Sequence, residues 1–191
     1  MRELTLRSGG TIILRPLKRD EGSLLVSGVA QLSPRSIRQR FHSLGRDGLS
    51  KAEIKYLTDV DQKNHAAFVL DDGGRSVALG RYVRLQDHPD MASDTAEIAL
   101  TILDPWQGRG LSKVLLAALM ANARAVGINR LRAAVLSDNI LAWRLLTSLG
   151  AEPQPVAGED AYWAELSTDP NRLPATEAAE ELRHYHALIM G

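Results

Sequence analysis

The chain has 191 residues, 45% hydrophobic and 24% charged, which supplies a sizeable core and favours a single domain. Its 23 basic and 23 acidic side chains cancel, so no global field argues for nucleic acid or an anionic membrane as partner. Cysteine is absent, which excludes disulfides, thiolate-ligated zinc and a cysteine nucleophile.

The opening stretch Met1 to Arg7 lacks the apolar centre of a secretory signal, and no apolar run is long enough to span a bilayer. A cytoplasmic protein is expected. Glu3 to Arg7 and Thr11 to Arg15 alternate like strands around Ser8-Gly9-Gly10, a hairpin. Asp20 to Gln31 has helical spacing, with Leu24, Leu25 and Val29 on one face. Ser33-Pro34 opens a second helix carrying Ile37 and Phe41, and Ser50 with Glu53 forms a capping box for a third, ending near Leu57. His65 to Leu70 and Val77 to Leu85 read as strands joined by Asp71-Asp72-Gly73-Gly74, and Thr95 to Leu103 is the next strand.

Gln107-Gly108-Arg109-Gly110-Leu111-Ser112 follows that strand and opens an amphipathic helix through Leu111, Val114, Leu115, Leu119 and Val126, stopped by Gly127. A glycine turn at a helix start leaves several N–H groups pointing outward at the positive end of the dipole, a setting for phosphate oxygens. Taken alone, the same turn also fits a purely local helix cap. Arg130 to Leu136 is a further strand, Asn139 to Leu149 a helix ending at Gly150, and Ala161 to Leu166 a last strand. This order predicts an α/β (α+β) domain around one mixed, mostly antiparallel sheet flanked by helices. That domain is expected to span residues 1–170. Residues 171–191 add a C-terminal amphipathic helix, Pro174 to Met190, with Ala178, Leu182, Tyr185 and Ile189 in one stripe. The stripe needs cover, either from its own domain or from a second chain in a homodimer.

Two motifs resemble the GNAT superfamily of acyl-CoA-dependent N-acetyltransferases. Gln107-x-x-Gly110-x-Ser112 matches its main signature with one departure, serine at the last position. Asn139, Ala142 and Gly150 match the spacing of its second mark, with the helix and the strand Leu131 to Leu136 between the two. A narrower resemblance, to the bacterial protein lysine acetyltransferases often called Pat, is carried by five segments. They are Leu32 to Ile37 with Arg40-Phe41, Leu57 to Asp61, Gly80 to Arg84, Ala96 to Ala99, and Trp106 to Leu111. Some Pat proteins join this domain to a cyclic-nucleotide-binding or acyl-CoA synthetase-like module. The length here accommodates neither, so the resemblance implies a catalytic domain alone.

The resemblance implies the GNAT fold, splayed at the cofactor site, with acetyl-CoA as acyl donor. Its pyrophosphate would dock on Gln107, Gly108, Arg109, Gly110, Leu111 and Ser112, and its pantetheine arm would pair with the strand end at Ile102-Leu103. The Ser112 hydroxyl either bonds a phosphate oxygen or caps the helix. Asn139 either bonds the pantetheine arm or a water, or caps its own helix. Strand alternation puts Glu97 on one face with Ala99 and Thr101. Glu97 matches the glutamate assigned as base in the Pat group, against the plain reading of a solvated strand carboxylate. The tyrosine that many GNAT enzymes place seven residues after the asparagine is Leu146 here. Tyr82, Tyr162 and water are left as sources of that proton.

His42 and His65 lack ligand-like spacing, so no metal is expected. Trp106 is expected at the site edge or in the core, and Trp143 and Trp163 in the core. The acceptor is a protein lysine on the Pat resemblance, with a small amine as the alternative. A noncatalytic acyl-CoA sensor is the alternative from another class.

Overall fold

The computed structural model describes residues 1–42, 48–84 and 94–191. Among them, eight strands form one sheet in the order β1-β2-β3-β4-β5-β6-β8-β7. These are β1 (Arg2–Thr5), β2 (Thr11–Pro16), β3 (His65–Asp72), β4 (Arg75–Arg84), β5 (Thr95–Ile102), β6 (Arg130–Leu136), β7 (Gln154–Pro155) and β8 (Ala161–Ser167). Every neighbouring pair is antiparallel except β5 and β6. That exception follows from the crossover between them, since a parallel partner must be reached through an intervening helix. The predicted α/β architecture is therefore the observed one.

Local signals explain most boundaries. Ser33 caps helix α2 (Pro34–Phe41) by accepting from Ser36 N, with proline in the first turn. Ser50 and Glu53 form the capping box of α3 (Lys51–Thr58). Helix α1 is shorter than its periodicity suggested, Gly22–Val29, and buries Leu25 and Val29. The predicted end of the Val77 strand at Leu85 lies outside the described residues. Strands β3 and β4 run further into their turn than predicted, because Asp71 and Asp72 pair with Ser76 and Arg75. Strand β7 was not predicted; two residues that include a proline carry no periodicity.

The main core lies on one sheet face beneath α4 (Leu111–Ala125) and α6 (Glu177–Met190). Helix α4 buries ten of its fifteen residues. It can sit close to the sheet because β4 offers Gly80 there; a Cβ at that position would come within 2.9 Å of Leu100 and 3.2 Å of Leu115. Helix α6 begins at Glu177 rather than at Pro174, capped by Thr176, whose side chain accepts from Ala179 N. Ala179, Leu182 and Tyr185 are buried, and Ala178 and Ile189 pack on the same core. The stripe is covered by its own domain, so this face does not require a second chain. A smaller cluster on the opposite sheet face joins Leu17, Leu25, Val60, Ala67 and Val69, with Leu24 and Leu57 against it. Buried Arg81 fastens α3 there, donating to Leu57 O at 2.7 Å and lying 3.0 Å from His65 Nε2. Burial, then the neighbouring Arg81, pulls the His65 pKa below its ordinary value, so its ring nitrogen serves as acceptor.

Candidate active site

Strands β5 and β6 are in register only at Thr95–Arg130, Ala96–Leu131 and Glu97–Arg132. Both continue beyond that point, β5 to Ile102 and β6 to Leu136, so they part like the arms of a V. The opening is a cleft of about 680 Å³. Its walls include Ile98, Leu100 and Ile102 from β5, Ala133 to Val135 from β6, and Ala142 and Leu146 from α5 (Ile140–Ser148).

Among the described residues, the parting leaves backbone groups of β5 without strand partners on the cleft side. Leu103 N donates to Val77 O at 2.9 Å, which aims Leu103 toward β4. Because backbone groups alternate between the two edges of a strand, those of Leu100 and Ile102 face the cleft. Ile102 O accepts there from Gln107 Nε2 at 3.2 Å. Leu103 is thus separated from the other sequence-selected residues. It borders a hollow of about 480 Å³ on the other side of β5, among Leu24, Gln31, Val77 and Thr101.

At the open end of the V, where β5 finishes, the short turn Asp104–Trp106 leads into Gln107 to Gly110 and then α4. Gly110 is the N-cap, with φ +85°, and no side chain caps the helix. No acidic residue occupies the first turn of α4 either, so no carboxylate of the helix itself takes up its first amides, a setting suited to an anion. A Cβ on Gly108 would meet nothing within 4 Å, which leaves the turn open to a ligand. Gln107, Gly108 and Ser112 line the cleft. Trp106 stands at this edge rather than deep in the core, its Nε1 donating to Asp72 at 2.8 Å and its ring flanked by the guanidinium groups of Arg75 and Arg109.

Glu97 lies at the last paired rung, exposed, and lines the cleft where the strands separate. Among the described residues, the other titratable groups in the lining are Arg40, His42 and Glu159. Asn139 lines the cleft and also caps α5, its Oδ1 accepting from Ala142 N at 3.2 Å. Leu146, in the place of the usual tyrosine, is buried. Tyr82 is fully buried on the α4 side, its hydroxyl within 3.0 Å of Lys63 O and bonded to Asn122; burial drives its pKa up. Tyr162 stacks edge-on against Trp143, and neither tyrosine is in the lining. Trp163, read from the sequence as core, instead forms part of the cleft wall, with the Arg132 guanidinium 3.8 Å from its ring centre.

Helix α2 crosses the mouth and contributes Gln39, Arg40 and Phe41. Sequence reasoning missed how it is held. On the β5 side, Asp104 accepts from Ser33 N (3.1 Å), Ser33 Oγ (2.8 Å) and Ser36 Oγ (2.9 Å), and Gln107 donates to Ser36. On the β6 side, Arg38 pairs with Asp138, and His42 Nδ1 lies 3.9 Å from Glu159. Burial opposes the charge on Asp104, but the bonds from Ser33 and Ser36 outweigh it and hold the carboxyl below its usual range.

The family model described as the acetyltransferase (GNAT) family matches residues 35–151, which contain the V, the turn and α5. The chain belongs to the acetyltransferase (GNAT) family. It is 32% identical over 148 residues to acetyltransferase Pat of Mycolicibacterium smegmatis, covering 76% of this chain and 43% of that protein. It therefore spans less than half the length of that relative. It is 29% identical over 150 residues to an acetyltransferase of Pseudomonas aeruginosa, covering 76% of this chain and 77% of that one. Among solved structures, the GNAT domain of the S. lividans Pat protein matches 87% of this chain and 96% of its own, at 30% identity and a TM-score of 0.79. A Salmonella typhimurium protein solved with its cofactor acetyl-CoA shares the fold at 16% identity over 85% of this chain and 97% of its own, TM-score 0.65. Among the described residues, no helix is long and apolar enough to cross a membrane, and no group of three acidic or histidine side chains is placed to hold a metal.

Proposed function

We propose that this chain transfers an acetyl group from acetyl-CoA directly to the ε-amine of a protein lysine, in the cytoplasm. The observation that carries the reading is the loss of β5–β6 register after Glu97, which opens a cleft bounded by free strand backbone, a glycine turn and a carboxylate.

In this reading the amides of Gln107 to Ser112 bind the pyrophosphate, and Arg109 and Leu111 contribute through their backbone. Leu100 and Ile102 pair with the pantetheine arm as though a strand were added to β5. This replaces Leu103 by Leu100 as the partner of Ile102, since the Leu103 amide is engaged with Val77. Asn139, whose Oδ1 caps α5, has its amide nitrogen left for the donor. The thioester then lies near Ile98 and Ala99, within reach of an amine entering past Glu97.

A free lysine has a pKa of about 10.4, so producing the neutral amine at pH 7 costs roughly 4–5 kcal/mol. Glu97 takes that proton, directly or through a water. The amine nitrogen bonds the acetyl carbon as the carbon–sulfur bond breaks. The second proton of the amine, released as the amide forms, passes through water at the open mouth to the leaving thiolate, with no side chain acting as the acid. The absence of cysteine fits direct transfer without an acetyl-enzyme. Likeness to the two Pat proteins supports a protein acceptor.

The test is incubation with labelled acetyl-CoA against a whole-cell protein extract and, separately, a panel of small amines. Label on lysine side chains of extract proteins supports the proposal. Label confined to the amine panel would replace the acceptor class, and binding without turnover would replace the enzyme by a sensor.

A further inference from the structure

Helix α6 carries one residue that its packing does not explain. Between buried Ala179 and Leu182 sits Glu181, itself only 7% exposed. A carboxylate buried to this degree is costly unless a partner compensates it. The partner is Lys113 Nζ, from the first turn of α4. An apolar residue at 181 would serve the helix–helix contact as well, so the pair calls for a second role.

Its position suggests that role. Glu181 Oε1 lies 3.2 Å from where a Cβ on Gly110 would stand, so the carboxylate packs directly behind the N-cap of α4. Lys113 N donates to Gly110 O at 3.0 Å, which makes the lysine part of the same first turn. Two further bonds reach the area from the β1–β2 hairpin. Ser8 Oγ donates to Arg109 O at 3.2 Å, and Arg7 N donates to the hydroxyl of Tyr185 on α6 at 3.1 Å. The glycine turn is thus held from behind by α6 and from the side by the hairpin, while its amides stay open on the cleft side.

We infer that Glu181 is a positioning residue for the donor site: with Lys113 it fixes the glycine turn in its anion-binding shape, and α6 is part of that site. A lone carboxylate behind a phosphate pocket would repel the ligand. Paired with Lys113 it contributes no net charge, so it acts by shape. The two glycines that make the turn permissive also make it floppy, and its amides hold a pyrophosphate well only when already in place.

This inference rests on the reading of the turn as the pyrophosphate site, and the experiment separates the two. Calorimetry compares CoA with pantetheine, which lacks the pyrophosphate, on the intact chain. The wild type should bind CoA far more tightly; equal affinities would overturn the pyrophosphate placement and the inference with it. In Glu181→Ala the CoA Kd should rise about tenfold, as for the loss of a charge-assisted bond, while the pantetheine Kd holds. Glu181→Gln, which keeps the shape, should recover most of the loss. An alanine variant with wild-type CoA affinity, or one weakened equally for both ligands, overturns the inference alone. Should Glu181→Ala fail to fold, the double variant Glu181→Gln with Lys113→Met decides, because it removes the ion pair without leaving a lone charge beside the turn or opening a void under α6. A selective loss of CoA affinity supports the inference, and an unchanged CoA Kd overturns it.

Discussion

Helices α4 and α2 border the same cleft and are held in opposite ways. Helix α4 buries ten side chains and is part of the core, whereas α2 buries none completely. Helix α2 stays in place through polar clasps at its two ends, Asp104 with Ser33 and Ser36 on one side and Arg38 with Asp138 on the other. Close-packed apolar contacts resist displacement in every direction, while a few exposed polar bonds exchange readily with water. In the proposed reading the donor side is therefore preformed, and the acceptor side can yield. This division suits an enzyme with one constant donor and acceptors of differing shape.

The largest effect should come where the two sides meet. Glu97→Gln should lower turnover by about 10²–10⁴-fold with little change in acetyl-CoA affinity, because in the proposed mechanism the carboxylate handles the proton and not the donor. Rapid-quench and calorimetry measure the two separately, and near-normal turnover would reduce Glu97 to a solvated strand residue.

A change on the rigid side should act on the donor alone. Gly110→Val forces a β-branched residue into φ +85° and against Glu181, so it disrupts the turn at its most constrained point. Acetyl-CoA Kd should rise by about 5- to 150-fold, the equivalent of roughly 1–3 kcal/mol of strain expressed in the turn. Undiminished affinity in the folded variant would move the pyrophosphate elsewhere.

Loosening the compliant side should give the smaller effect. Asp104→Ala removes the three bonds from Ser33 and Ser36, and a several-fold rise in acceptor KM should appear with acetyl-CoA Kd nearly constant. Equal weakening of donor and acceptor would contradict the division between the two walls. The pH dependence has a definite sign. Because the Asp104 pKa is depressed in the fold, the clasp contributes fully above the ordinary carboxylate range and is lost as pH falls through the depressed folded value. Acceptor KM should accordingly rise only in strongly acid solution, and this rise should vanish in Asp104→Ala.

The same contrast explains what could be read from the sequence. Helix α4 announces itself by periodicity and by the glycines before it, and β6 runs over the predicted Arg130–Leu136 without adjustment. Glu97 was recognisable because strand alternation fixes its face locally. The clasps on α2 were not, since Asp104 and Ser33 are 71 residues apart and neither pattern nor spacing links them. Glu181 was hidden for the same reason, inside a stripe that reads as plain amphipathic helix. Permission for a gap between β5 and β6 was legible in their crossover connection, but its extent depends on where the tertiary structure ends the pairing. Leu103 looked like a strand end at the cleft, and only the hydrogen bond to Val77 shows that it faces the other way.

In the proposed mode of binding, the donor docks along the free edge of β5 and ends on the glycine turn. Residue-resolved hydrogen exchange with and without acetyl-CoA tests it most directly. The amides of Leu100, Ile102 and Gly108 to Ser112 should gain protection on binding, while Leu103, already bonded to Val77, should change little. Protection confined to Val77, Ala78 and the other residues around the second hollow, with Leu100 and Ile102 unchanged, would contradict the account.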